Sequence, residues 1–113
     1  VFRRGAPQHG GESLEYGPLT IDPARHEVRV GGQAVTMGLT EFKLLKFLAS
    51  HPERVFSRTQ LLDRIWGDHV YIEERTVDVH VLRLRKALAV QDAQHLVQTV
   101  RGLGYRLSTQ TTL

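Results

Sequence analysis

The hydrophobic positions along this chain change period twice. Between Glu15 and Met37 they alternate, Leu19 with Ile21, Val28 with Val30, and Val35 with Met37. A period of two places one face of a strand against a core. Asp22-Pro23 signals a turn, and Gly31-Gly32 is a two-residue hairpin signal. A short antiparallel sheet is therefore expected over about Glu15–Met37.

From Thr40 the period becomes helical. A first helix is expected over Thr40–Ser50, with Thr40 as N-cap. Phe42, Leu45 and Leu48 lie on one side, Leu44 and Phe47 widen the stripe, and Pro52 stops it. A second helix is expected over Arg58–Trp66. Ser57 and Gln60 have capping-box spacing, Phe56 and Leu61 can staple the entry, and Gly67 ends it. A third is expected over Glu73–Ala89, with Glu73 and Glu74 at the favourable end of the helix dipole. Val77, Val81, Leu84 and Leu88 share a narrow arc and must pack inward. The opposite arc carries Arg75, Val79, Leu82, Arg83 and Lys86, with Thr76 at its margin. Alternation then returns: Leu96–Arg101 is strand-like, Gly102-Leu103-Gly104 is a turn, and Tyr105–Leu107 runs back.

The elements predict an α+β domain spanning residues 14–108. The stretch 1–13 is rich in Gly, Arg and polar residues and reads as an interdomain linker, so the chain is expected to be part of a longer protein. Residues 109–113 read as a frayed tail. With 113 residues and 41% hydrophobic positions, one domain with a modest core is expected. There is no cysteine, which excludes disulfides, thiol nucleophiles and Cys-ligated zinc. No apolar run is long enough to span a bilayer, and no membrane role is expected.

Charge adds a direction. The net charge is +3, and the surplus is local. Arg75, Arg83, Arg85, Lys86, Arg101 and Arg106 are opposed between residues 75 and 106 only by Asp78 and Asp92. An anionic partner should meet the C-terminal part. A helix fits the major groove of duplex DNA; Arg83 near its middle could reach guanine, and Val79 and Thr76 could touch thymine methyl groups. Arg101 on a glycine hairpin suits a minor groove. The competing reading is a protein-interaction module whose basic helix is merely solvated. Val79 and Leu82 on the outer arc argue against it, as does the scarcity of acids to pair the arginines. The loop from Trp66 to Glu74 combines Trp66, Val70, Tyr71 and Ile72 with an acidic rim, which is the composition of a protein-docking surface.

Catalysis has little support: no spacing orders Ser57, Asp63 and His80 into a triad. Gly102-x-Gly104 is followed by no helix that could receive a pyrophosphate. The six histidines are scattered, so no metal or other cofactor is expected, and each reads as a surface or phosphate-contacting residue.

LTEFKLLKFLASHPERVFSRTQLLDRIWG, RTVDVHVLRLRKAL and VQTVRGLGYRL, in this order, resemble the C-terminal effector domain of OmpR/PhoB-type response regulators over about Leu14–Ser108. MGLTEFKLL, SHPERVFSR and VYIEERTVDVH are similar to the phosphate-regulon branch of that family. The resemblance implies a winged helix: a four-stranded N-terminal sheet, three helices and a hairpin wing. It implies sequence-specific binding of double-stranded DNA and transcription activation in the cytoplasm, with phosphate-starvation genes or another regulon as target. By position, Arg75, Thr76, Asp78, Val79, His80, Arg83 and Arg85 match its DNA-facing helix. Thr99, Arg101 and Tyr105 match its wing, and Arg58 and Trp66 match phosphate-contacting positions. Trp66, Gly67, Ile72, Glu73 and Glu74 match the loop that meets the RNA polymerase sigma subunit. Two copies head to tail on direct-repeat half-sites, and a receiver domain ahead of the linker, complete the implied assembly. The chain departs from the family at Leu82, where an arginine is usual; its loss removes a phosphate contact.

Overall fold

The computed structural model describes residues 13–67 and 73–109. Four short strands, β1 (Leu14–Tyr16), β2 (Leu19–Asp22), β3 (Glu27–Val30) and β4 (Gln33–Val35), form an antiparallel meander in chain order. Its register pairs Leu19 with Val30, Ile21 with Val28, and Val28 with Val35. The alternating apolar side chains therefore fall on one face, and all five are buried. Gly31-Gly32 makes the β3–β4 turn, as the pattern predicts.

Helix α1 covers Leu39–Ser50 and buries Phe42, Leu44, Leu45 and Leu48, with Phe47 partly covered. Thr40 is not its N-cap. Gly38 holds that position, with extended backbone and no side-chain cap. Sequence spacing offered a capping hydroxyl, but the chain enters the helix two residues earlier.

Helix α2 covers Arg58–Leu61, and both halves of the Ser57–Gln60 capping box are formed. It runs on as one π-helical stretch, Leu62–Trp66, which stops at Gly67 with φ of 87°. Helix α3 covers Arg75–Ala89. Val77, Val81, Leu84 and Leu88 are buried, as their arc requires. After a 3-10 turn at Gln94–Leu96, strands β5 (Val97–Val100) and β6 (Gly104–Leu107) form the terminal hairpin.

One core joins the sheet, the three helices and the hairpin, with Leu19, Ile21, Leu44, Leu48, Leu61, Leu84, Leu88 and Leu107 at 1% exposure or less. The hairpin is tied in by backbone as well. Phe56 and Tyr105 form an antiparallel bridge with both N–H···O distances at 2.9 Å. Gly104 makes that approach possible: its φ is 148°, and a Cβ there would lie 1.9 Å from the Phe56 carbonyl oxygen. The far end of β6 is fixed too. Ser108 Oγ donates to the Glu53 carboxylate, to which Tyr16 Oη also donates, and Tyr16 Oη accepts from the Thr109 amide. The stretch 1–12, residues 68–72 and residues 110–113 lie outside the described residues, so the linker, most of the tail and Ile72 are not placed.

Candidate nucleic-acid interface

Helix α3 presents a broad outer face. Arg75, Leu82, Arg83 and Lys86 are exposed, and so is Val79, at 42%; Leu82 reaches 54%. About 100° per residue separates this face from the buried arc and leaves a polar margin on each side. Asp78 and Arg85 form one margin, Thr76 and His80 the other.

Each margin is clamped. On the first, Arg58 Nε donates to Asp78 Oδ1 at 2.9 Å, and Tyr105 Oη donates to the same oxygen at 2.5 Å. Arg85 Nε donates to the Val97 carbonyl at 2.9 Å and its Nη2 to Thr99 Oγ1 at 2.6 Å, while its guanidinium carbon lies 5.7 Å from the Tyr105 ring centre. The second helix, the third helix and the hairpin thus meet at Asp78. Asp78 holds the Arg58 guanidinium above its already high ordinary value. Burial pushes the Tyr105 phenol up, and the hydrogen bond to Asp78 adds to this.

On the second margin His80 Nδ1 meets Glu41 Oε2 at 2.5 Å, and its ring lies 5.3 Å from that of Trp66. His80 is therefore no simple surface residue. His51 is not one either: its Nδ1 meets the Phe47 carbonyl at 3.2 Å, and its ring packs on Phe47 and Phe56. The sequence places both among surface or phosphate-contacting histidines; the helices bring an acceptor to one ring nitrogen of each.

Of the residues expected to face DNA, Arg75, Val79 and Arg83 lie on the exposed arc, Thr76 lies at its margin, and Arg101 lies exposed in the β5–β6 turn. Asp78 is engaged within the fold by Arg58 and Tyr105, and Thr99 by Arg85, which also donates to the Val97 carbonyl. Trp66 is half-buried against the core. Of the loop residues expected to dock protein, Trp66, Gly67, Glu73 and Glu74 are described. Glu73 pairs with Arg75 at 3.2 Å, and Glu74 accepts from Thr59 Oγ1 at 2.9 Å. The residue overlooked by the sequence reading is Glu41. Its signal was available: Glu41 shares the helical spacing of Leu44, Leu45 and Leu48, so an acid sat on the core-facing stripe of α1.

Among the described residues no group of three or more His, Asp or Glu could hold a metal ion, and no helix is long and apolar enough to cross a membrane.

A sheet, three helices with an exposed cationic third, and a hairpin beside it define a winged-helix DNA-binding domain. The chain belongs to the family described as "Transcriptional regulatory protein, C terminal", matched over residues 32–107, and within it to the OmpR/PhoB-type response regulators. It is 54% identical over 110 residues to the phosphate regulon transcriptional regulatory protein PhoB of Escherichia coli K12, covering 97% of this chain and 48% of that protein. The PhoB of Pseudomonas aeruginosa is 51% identical over 111 residues, again with 48% of its length covered. The chain thus spans about half the length of these curated relatives. Among solved structures, the AdeR DNA-binding domain in complex with an intercistronic region superposes with a TM-score of 0.77 at 36% identity, covering 86% of this chain and 99% of that one. The Klebsiella pneumoniae RstA DNA-binding domain in complex with the RstA box gives 0.76 at 34%, with 88% and 99% covered.

Proposed function

We infer that this chain reads duplex DNA with the outer face of α3 in the major groove and the β5–β6 turn in the minor groove. The observation that carries this is the composition of the outer face. Val79 and Leu82 stand exposed between Arg75, Arg83 and Lys86, a mixture that suits base edges and phosphates better than water. Arg83 is the base-reading candidate, while Arg75, Arg58 and Arg101 neutralise phosphate or minor-groove potential. Arg83→Ala is expected to weaken binding to the preferred duplex by about 1–3 kcal/mol and to relax preference at one base position. Titration against specific and random duplexes measures this, and equal losses on both would remove the base-reading role.

In the whole protein the domain would be the output half of a response regulator, with a receiver ahead of residue 14. It would activate phosphate-starvation genes from the cytoplasm, as two copies head to tail on direct-repeat half-sites. The relatives named for the phosphate regulon support this reading. The stretch from Trp66 to Glu74, including Gly67, Ile72, Glu73 and Glu74, would contact the RNA polymerase sigma subunit. Its acidic end beside the first turn of α3 supports that role.

A further inference from the structure

Glu41 is the one buried charged residue among those described. A buried carboxylate is costly unless something compensates it. Two things do. Glu41 lies in the first turn of α1, at the positive end of the helix dipole. It also meets His80 of α3, which leans over it with 16% of its side chain exposed. The fit is close: a Cβ at Gly38 would lie 2.3 Å from Glu41 Oε1, so the carboxylate occupies space that glycine leaves open.

Against an ionised carboxylate, His80 Nδ1 must be the donor. The two ring nitrogens point to opposite sides of the imidazole, so Nε2 is directed away from Glu41. The geometry points to Glu41 as a positioning residue of the DNA interface, fixing the His80 ring so that its outer nitrogen donates to a backbone phosphate. This rests on the DNA-binding reading above. Donating from both nitrogens at once requires a proton on each, and hence a positively charged ring. The interface therefore carries one more phosphate-neutralising charge than its arginines and lysines supply, and wherever the free ring is neutral, binding takes up a proton. Glu41 from α1 and Trp66 from the π-helical stretch are the described groups facing His80. On its own helix the nearest cation is Arg83, three residues further on and exposed.

The test is Glu41→Gln, which keeps the side chain's size and an acceptor but removes the charge. Binding of the 113-residue chain to its preferred duplex is followed from about pH 5.5 to 8.5 and at several salt concentrations. For the unaltered chain, affinity is expected to fall as pH rises across the histidine range. Glu41→Gln should flatten that profile, weaken binding near the acid end by about tenfold, and lower the salt slope there by about one. His80→Ala should do the same, and Glu41→Gln should add nothing in its presence. An unchanged pH profile and salt slope in Glu41→Gln would overturn the assignment, as would equal losses with and without His80. Nitrogen-15 spectra of His80 in the unaltered complex give an answer even if the variant fails to fold: a singly protonated ring on bound DNA overturns it as well. If the unaltered chain binds no duplex at low salt, the DNA-binding reading itself fails, which is a different result.

Discussion

Gly104→Ala tests how the wing is held. The added Cβ would stand 1.9 Å from the Phe56 carbonyl oxygen, 2.7 Å from its carbon and 2.9 Å from Ser57 Cα. All three are backbone atoms, so no side chain can swing aside. The Phe56–Tyr105 bridge must open, giving up two hydrogen bonds now at 2.9 Å, each worth about 1 kcal/mol net. The backbone φ of 148° adds about 1–3 kcal/mol of strain for a residue with a Cβ. The expected loss is about 3–5 kcal/mol, a large share of the roughly 5–15 kcal/mol that holds a domain together. Gly102→Ala is the control. Its φ is 78°, but nothing lies within 4 Å of the added Cβ, so only the strain remains. Urea titrations followed by circular dichroism compare the two at matched m-values. A Gly104→Ala loss no greater than that of Gly102→Ala would show that the bridge does not anchor the wing. Duplex binding should weaken in Gly104→Ala even where the chain is folded, because Arg101 rides on the same turn.

Alkaline pH offers a second check. The Tyr105 phenol is held up by burial and by Asp78, so the folded state keeps a proton that the unfolded chain loses near pH 10. That contribution is fully present below about pH 10 and is lost as pH rises through the folded value. Tyr105→Phe should therefore flatten the decline in stability measured by denaturation above about pH 10, and an unchanged decline would remove Tyr105 as its cause. Leu82→Arg should raise the salt slope of duplex binding by about one and strengthen non-specific binding, as measured by titration at several salt concentrations; no change would mean Leu82 lies away from the phosphates. Glu73→Lys should leave affinity for specific DNA nearly unchanged while lowering polymerase recruitment in a reconstituted transcription assay, and unchanged transcription would remove the loop's docking role.

The alternating strands, the three helices, the capping box at Ser57 and the inward arc of α3 follow from periodicity and spacing, whereas the fourth strand of the N-terminal sheet was implied by the family resemblance alone. Period-two alternation and the 3.6-residue stripe are local consequences of how Cβ atoms project, so the chain displays them before it folds. The cationic outer arc was legible for the same reason, as was Leu82 within it. The entry to α1 at Gly38 and the π-helical end of the second helix were not, since both depend on what the backbone meets in three dimensions.

The division is sharpest at Asp78, Tyr105, Glu41 and His80. By resemblance, Asp78, His80 and Tyr105 are expected in a DNA-facing set, and Glu41 attracts no notice. Their partners lie 20 to 39 residues away in the chain, and no spacing rule reaches that far. Only the packing of α1 and α2 against α3, and of the hairpin against both, decided that these groups clamp α3 from its two margins. The sequence determined which face of that helix is cationic; the tertiary structure decided how the face is held in place, because a buried or half-buried polar group takes whatever partner the fold brings within hydrogen-bond reach.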